Sequence, residues 1–217
     1  MKKNNKLINI GLIVGCIIFT LLVKFVDVSN IGPNDSSVGF STINKLFHNI
    51  IGVHMSVYKI SEICGYVPIL IVVGYAVVGA LQLIKRKSLF KVDKEILAIG
   101  VFYVITLVIY IFFEKVIINY RPTLIDGELE ASYPSSHTIL ALFMCGSAII
   151  LNRFRFKRIK AAQYENSLAY LFMGLVLFTR IISGVHWFSD ILGGALISVT
   201  LLYTFYNTLC YLKENKS

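Results

Sequence analysis

The chain has 217 residues, of which 56% are apolar and only 15% are charged, and its mean hydropathy is +0.73. A soluble globular protein carries about 25% charged residues, and disordered chains are poor in apolar and aromatic residues. The composition therefore excludes disorder and argues against a soluble enzyme. The net charge of +9 could suit nucleic acid, but Lys and Arg cluster between apolar runs, as in the cytoplasmic loops of membrane proteins. We expect a membrane protein that binds no nucleic acid.

Six apolar runs approach the roughly 20 helical residues that a bilayer core requires. The sequence predicts an all-α fold, an integral membrane bundle of six transmembrane helices, in a single domain over residues 1–217. The spans are expected at about residues 7–26, 60–84, 97–113, 138–156, 168–182 and 191–212. The first run follows three lysines, as a signal peptide would, but no small-residue cleavage site follows it, so we interpret it as an uncleaved span. Residues 43–57 are expected to form an amphipathic helix on the membrane.

The distribution of basic residues predicts the topology. Six spans put both termini on one face, and most of the 21 Lys and Arg residues then fall on that face, notably in segments 85–94 and 153–160. Cytoplasmic loops carry the excess of Lys and Arg. We therefore expect a multi-pass protein of the cell membrane with both termini in the cytoplasm. Segments 114–137 and 183–189 are expected to face outside.

The fourth span is predicted to be short. Its uninterrupted apolar run, residues 138–151, has 14 residues, which cover about 21 Å of a hydrocarbon core about 30 Å thick. His137 would then lie below the outer membrane surface, in a polar pocket. Polar residues at such depth are functional candidates.

Three clusters of polar residues lie at the predicted outer ends of spans. The first contains Lys115 and Arg121-Pro122, the second is Pro134-Ser135-Ser136-His137, and the third contains Thr179-Arg180, His186 and Asp190.

The residue types of the clusters suit phosphate chemistry. Arg121 and Arg180 are permanent cations whose fork geometry fits phosphate oxygens. Ser135 and Ser136 precede a predicted helix, whose first backbone N–H groups form an anion site. His137, beside them, can give or take a proton near neutral pH.

The third cluster also suggests an activated nucleophile. His186 and Asp190 are four residues apart, so on a helix they would share a face. A carboxylate that binds one ring nitrogen orients the imidazole and leaves the other nitrogen as nucleophile or base.

Each member alone also has a structural explanation. An arginine can snorkel to the membrane interface, a serine pair can cap a helix, a lone histidine can be structural, and Asp190 can cap the sixth span. The location of all of them on one face favours a functional site. Because three cations in these clusters would repel a metal ion, we expect no metal ligand and no cofactor.

Together the clusters resemble the type 2 phosphatidic acid phosphatase family of integral-membrane lipid phosphate phosphatases. That family has the blocks Lys-x6-Arg-Pro, Pro-Ser-Gly-His and Ser-Arg-x5-His-x3-Asp. The third block matches here at Arg180, His186 and Asp190, with Thr179 in place of Ser. In the second block, Ser136 replaces Gly.

The first block departs from the family pattern at its lysine. Lys115 is separated from Arg121 by five residues rather than six, and Glu114 occupies the expected position. On a regular helix Lys115 would point about 100° away from that position. Either the chain leaves helical geometry near Asn119, or Lys115 does not contact the phosphate.

The resemblance implies metal-independent hydrolysis of the terminal phosphate of a membrane lipid phosphate or diphosphate. His186 would attack phosphorus and become a phosphohistidine, Asp190 would hold its ring, and His137 would protonate the leaving oxygen and then activate water. The implied phosphate-binding groups are Arg121, Arg180, Ser135, the N–H of Ser136 and Lys115. Undecaprenyl diphosphate, phosphatidylglycerol phosphate and phosphatidic acid remain open as substrates. The alternatives are a catalytically weak lipid-binding or transport protein and a lipid phosphotransferase.

Overall fold

The structure is a computed structural model that describes residues 3–155 and 160–215. Its helices are α1 (Lys3–Phe25), α2 (Ser41–Ile51), α3 (Met55–Cys64), α4 (Tyr66–Arg86), α5 (Lys94–Lys115), α6 (Ser136–Ile139), α7 (Cys145–Arg155), α8 (Lys160–Ser183) and α9 (Phe188–Glu214). A π-helical turn, Leu140–Met144, joins α6 to α7. Two short antiparallel strands, β1 (Ser29–Asn30) and β2 (Ser37–Val38), follow α1.

The predicted all-α bundle of six membrane-spanning helices is confirmed. Within the described residues, six helical segments are long and apolar enough to cross a membrane. They are Asn4–Phe25, Met55–Arg86, Lys94–Lys115, Ser136–Arg155, Ala162–Ser183 and Phe188–Glu214. Most extend beyond the predicted apolar runs because polar residues at their ends keep helical backbone. The predicted end of the fourth span at Phe156, and the basic residues Lys157 and Arg158, lie outside the described residues.

The fourth span is not short, contrary to the prediction. It runs over 20 residues, Ser136–Arg155, which at 1.5 Å per residue gives about 30 Å. Ser136 and His137 at one end and Asn152 to Arg155 at the other continue the helix beyond the apolar run. The helix is long enough to cross the hydrocarbon core, so its length gives no reason to place His137 below the membrane surface.

The expected amphipathic helix over residues 43–57 is divided between two elements. α2 ends at Ile51, and α3 begins at Met55 as the first part of the second span. α2 packs on the bundle through its buried Asn44, whose amide donates to Ser189 Oγ (2.9 Å) and whose Oδ1 accepts from the Ser189 backbone N–H (3.0 Å).

The core lies between α5, the fourth span and α9. The buried ring of Phe102 contacts the buried rings of Phe143 and Phe205, one from each of the other two segments. At the end of the bundle away from the site, Asp93 binds Arg86 and Arg155, each at 2.7 Å. The pKa of Asp93 is lowered to about 2, and the hydrogen bond from Arg86 makes the largest contribution to this shift. The Asp93–Arg155 ion pair joins the α4–α5 connection to α7.

Helices of alternating direction bring six helix ends to one face, here called the site face. The C-terminal ends of α1, α5 and α8 meet there with the N-terminal ends of α3, α6 and α9. α1 packs along α9, with Cys16 Sγ 3.1 Å from Thr200 Oγ1. The three polar clusters therefore converge although they lie on different spans.

Candidate active site

His186 lies in the short connection between α8 and α9, where its side chain is buried and its ring lines a large cavity. Its Nδ1 is 4.0 Å from Asp190 Oδ2, too far for a direct hydrogen bond. The Ser132 hydroxyl lies between them, 3.0 Å from His186 Nδ1 and 2.5 Å from Asp190 Oδ2. The expected histidine–carboxylate pair is thus linked through a serine.

The hydrogen-bond directions define the protonation of the His186 ring. The single hydroxyl proton of Ser132 is donated to Asp190, so Nδ1 of His186 must carry a proton and donate to Ser132 Oγ. Nε2 then has a free lone pair. Nε2 is buried and, among the described residues, has no hydrogen-bond partner.

Burial and positive charge keep the His186 ring neutral. Burial lowers its pKa well below the usual range, and the nearby charges of Arg121 and Arg180 lower the pKa further. A neutral imidazole at neutral and mildly acidic pH is the form that a nucleophile requires.

Asp190 combines a structural and a site role. Its Oδ2 accepts from the Trp187 backbone N–H at 2.9 Å, which caps the start of α9, and its Oδ1 is 3.4 Å from Asn119 Nδ2. Asn119 in turn accepts from the Gly39 backbone N–H at 3.1 Å. The capping role that the sequence left open is therefore present together with the link to His186.

Two arginines form the cationic part of the site. Arg180 is fully buried, its Nη1 donates to Ser61 Oγ at 2.9 Å, and its Nη2 contacts Nδ1 of His137. Arg121 Nε is 3.0 Å from Glu130 Oε2. The ring of Tyr58 lies under both guanidinium groups, with Cζ–centroid distances of 5.8 Å for Arg121 and 5.4 Å for Arg180. Cation–π attraction and the carboxylate offset the repulsion between the two cations.

The second cluster begins the fourth span. His137 accepts at Nδ1 from Arg180, so its Nε2 carries the proton, and Nε2 is 3.6 Å from Glu62 Oε1. Ser135 is buried and accepts from Thr138 Oγ1 at 3.0 Å. Ser135 is not among the residues that line the cavity. Ser136 has helical backbone as the first residue of α6, so the turn accommodates a Cβ where the family block has Gly.

Close backbone approach at Gly194 fixes this cluster against α9. A Cβ at Gly194 would lie 2.9 Å from the Ser135 carbonyl oxygen and 3.1 Å from Thr138 Cβ. The Ser135 backbone N–H donates to the Asp190 carbonyl at 3.0 Å. The N–H of Ser135 is therefore occupied, while Ser136 and His137 line the cavity.

The structure does not bring Lys115 to the other predicted residues. α5 ends at Lys115, and Val116 has non-helical backbone (φ −102°, ψ 83°). The Lys115 side chain is exposed, and Glu114 rather than Lys115 lines the cavity. The first alternative left by the sequence is observed, because the chain leaves helical geometry before Asn119. Whether Lys115 contacts the phosphate stays a prediction.

Lys24 explains part of this departure from helical geometry. Its Nζ donates to the carbonyl oxygens of Ile117 (2.9 Å) and Ile118 (3.4 Å) from the end of α1. These carbonyls are thus engaged by a neighbouring span rather than by the next helical turn.

Sequence reasoning missed several residues of the site. Ser132 lies three residues before Ser135, in segment 114–137, and belongs to none of the three clusters. Tyr58, Ser61 and Glu62 come from α3, which the sequence assigned partly to an amphipathic helix and partly to a span. An acidic residue within a predicted span, such as Glu62, is a signal for function that was available.

The cavity has a volume of about 1480 Å³, and its charged side chains lie at the site end. Arg121, His137, His186 and Glu62 line that end, whereas α4 and α5 supply mostly apolar walls. Among the residues that the structure describes, no group of three or more His, Cys, Asp or Glu side chains is arranged to hold a metal ion.

Comparisons with known proteins agree with this architecture. A solved structure, described as the crystal structure of the first transmembrane PAP2 type phosphatidylglycerolphosphate phosphatase from Bacillus subtilis, superposes with a TM-score of 0.56 at 17% sequence identity, covering 92% of this chain and 94% of that chain. No curated protein matches the sequence significantly. The family model of the PAP2 superfamily matches residues 96–213, a segment that contains all three polar clusters and more than half of the chain. The chain therefore belongs to the PAP2 superfamily.

Proposed function

We propose that this membrane protein hydrolyses the terminal phosphate of a lipid phosphate or lipid diphosphate. The observation that carries the proposal is the position of the His186 ring, which lies at the polar end of the cavity beside two buried arginines, with its Nε2 unpartnered among the described residues. An apolar cavity with a cationic end suits a phosphate attached to a lipid chain.

In the first step the lone pair of His186 Nε2 attacks phosphorus. We propose that the bound phosphate draws Arg180 away from His137, whose Nδ1 then takes up a proton so that the ring becomes an imidazolium. The bond between phosphorus and the leaving oxygen breaks as the P–N bond forms, and the imidazolium passes its Nε2 proton to that oxygen. Asp190, acting through Ser132, stabilises the positive charge that develops on the ring. Arg121 and Arg180 stabilise the charge on the equatorial phosphate oxygens.

In the second step a water molecule attacks the phosphohistidine. His137, now a neutral ring with its proton on Nδ1, takes a proton from the water at Nε2 and becomes imidazolium again. The P–N bond breaks, and inorganic phosphate leaves with His186 regenerated. The Ser135 hydroxyl and the Ser136 N–H are proposed to bind phosphate oxygens in both steps. Lys115, which lies outside the cavity lining, would join them only after a movement of its side chain.

The apolar walls support a lipid as substrate. Phosphatidylglycerol phosphate is a candidate because the similar solved structure is described as a phosphatidylglycerolphosphate phosphatase. Undecaprenyl diphosphate and phosphatidic acid fit the same cavity chemistry. We propose that the reaction needs no metal ion, because Arg121 and Arg180 supply positive charge to the transferred phosphate.

The charge distribution supports an active site outside the cytoplasm. Residues 85–94, on the face opposite the site, include four Lys and one Arg, and such segments remain in the cytoplasm. We therefore propose that both termini are cytoplasmic and that the enzyme acts on headgroups in the outer leaflet.

The direct test is release of inorganic phosphate by the purified protein in detergent. Lipid mono- and diphosphates would be supplied with excess EDTA, and a His186→Ala variant would be the control. The proposal requires chelator-resistant release that the variant lacks. A lipid-binding or transport protein would release none, and a phosphotransferase would place the phosphoryl group on an added alcohol or lipid acceptor. Loss in EDTA that one divalent ion restores would contradict the metal-independent reaction.

A further inference from the structure

Glu62 is a carboxylate at the polar end of the cavity that the three polar clusters do not include. It lies on α3, with Oε1 3.6 Å from His137 Nε2 and 3.8 Å from Arg180 Nη2. Its side chain is 43% exposed and lines the cavity. The carboxylate is therefore next to the proposed acid and open to a bound substrate.

The junction between α3 and α4 holds Glu62 in this position. Gly65 lies at the junction, and a Cβ there would be only 2.7 Å from Nε2 of His137. The missing side chain lets this turn pack on the imidazole. Ser61, the neighbour of Glu62, receives a hydrogen bond from Arg180, which anchors the same turn.

The protonation of His137 defines where the leaving group must lie. Nδ1 faces Arg180, so the proton that the ring gives to substrate is the one on Nε2. The departing oxygen must therefore approach Nε2, and the carboxylate of Glu62 is already on that side of the ring. The atoms attached to the departing oxygen consequently lie close to Glu62.

Two kinds of leaving group differ in charge at this point. In a lipid monophosphate the departing oxygen belongs to an alcohol, which is neutral after protonation. In a lipid diphosphate it belongs to a second phosphate, whose anionic oxygens would face the carboxylate. Among the described residues that line the cavity, the charged side chains are Arg121, Glu62, Glu114 and Glu130. Arg121 already faces Glu130, and Arg180, which is buried outside the lining, faces Glu62. A second phosphate therefore meets net repulsion.

We propose that Glu62 is a specificity-determining residue that makes the site prefer lipid monophosphates to lipid diphosphates. This inference rests on the proposed function and adds the leaving-group class to it. Discrimination by a like charge against the wrong substrate is a common device of specific sites.

The test compares two substrates with the same chain, farnesyl phosphate and farnesyl diphosphate. Initial rates would be measured for the full-length protein in detergent, with the organic products separated so that the two reactions are counted individually. The variants are Glu62→Gln, Glu62→Asp and Asp126→Asn. Asp126 is exposed and outside the cavity lining, so its variant makes the same change of charge away from the cavity.

The wild type is expected to have a higher kcat/KM for the monophosphate. Glu62→Gln should raise the diphosphate-to-monophosphate ratio of kcat/KM by about tenfold or more, because the repulsion between like charges is removed. Glu62→Asp keeps the charge and should keep the wild-type preference, and Asp126→Asn should leave the ratio unchanged.

An unchanged ratio in Glu62→Gln, with both rates lowered equally, would overturn the inference and leave Glu62 acting only through His137. A wild-type preference for the diphosphate would also overturn it. Failure of the proposed function has a different signature, namely no phosphate release from either substrate by the wild type. Thermal unfolding of each variant would show whether a lost activity reflects a lost fold. If Glu62→Gln does not fold, Glu62→Asp decides whether the charge sets the preference. Loss of the monophosphate preference in Glu62→Asp, which retains the charge, would contradict the inference.

Discussion

At the scale of single residues, the link from Asp190 to His186 differs from the simplest expectation. The spacing of four residues predicted a shared helix face, but His186 precedes α9 and only Asp190 is within it. The carboxylate is turned toward the helix start, where it accepts from Trp187 N–H. Ser132 fills the remaining space and connects the two side chains. The sequence motif identified His186 and Asp190, but it carried no signal for Ser132, which connects them.

Removal of the Ser132 hydroxyl should slow the chemistry more than it weakens substrate binding. We expect Ser132→Ala to lower kcat by about 10- to 100-fold with a small change in KM, because the imidazole loses the group that orients it. Ser132→Thr, which keeps a hydroxyl, should recover part of the rate. Steady-state kinetics on a lipid phosphate would measure the split.

Ser189→Ala is the matched control for this variant. Ser189 is also buried and its hydroxyl contacts Asp190, at Oδ1 and 3.4 Å, but it does not contact His186. A loss of kcat in Ser189→Ala equal to that in Ser132→Ala would mean that the Ser132 effect comes from the carboxylate environment and not from the link to His186.

The basic residues of the site should separate into two groups. Arg121→Ala and Arg180→Ala should each cost about 3 kcal/mol of transition-state stabilisation, roughly 10²-fold in kcat/KM, through loss of a charge-assisted contact. Lys115→Ala should cost less than about threefold, because Lys115 is exposed and does not line the cavity. Comparable losses for all three variants would show that Lys115 enters the site when substrate binds.

At the scale of elements, apolar runs predicted where spans exist but not where their helices end. Polar ends such as Ser136 and His137 continue a helix because backbone hydrogen bonding does not depend on hydropathy. The division at Gly65 was also not predicted, since the surrounding residues read as one run. It separates α3, which packs against α8 through Arg180 and Ser61, from α4. The contacts that shape segment 116–135, such as that of Lys24, depend on tertiary structure and have no local signal.

The close approach of the α3–α4 junction to His137 gives a test of this element. Gly65→Ala should lower kcat by about tenfold or more, because its Cβ would lie 2.7 Å from the imidazole ring and displace the proposed acid. Gly74→Ala is the matched control on α4, where a new Cβ meets nothing within 4 Å. Equal activity of the two variants would show that the junction does not set the position of His137.

At the scale of the whole molecule, the count of spans was the most informative prediction. The segments that follow the third and the fifth span lie on the same face, because two spans separate them. The three clusters lie in these segments or at the adjoining span ends, and the structure brings them together. Composition and charge were sufficient for that result. They could not supply the distances within the site, which depend on how α3, α8 and α9 pack together.

Sidedness can be tested by cysteine labelling in intact cells. In a background without the native cysteines, an impermeant thiol reagent should label a cysteine at Glu128 but not one at Lys91. Glu128 is exposed in the segment that carries Arg121, and Lys91 is exposed on the opposite face. Labelling at 91 without labelling at 128 would invert the topology and place the chemistry in the cytoplasm.

The central claim is that His186 carries the phosphoryl group during turnover. Rapid acid-free quenching of the purified enzyme with a lipid phosphate that is radiolabelled in its terminal phosphate should trap a labelled protein. The bond should be labile to acid and stable to base, as a phosphoramidate is, and the label should map to His186. His186→Gln should show neither label nor phosphate release. Label on another residue, or turnover by His186→Gln within a factor of about ten of wild type, would contradict the mechanism, because loss of a nucleophile normally costs far more.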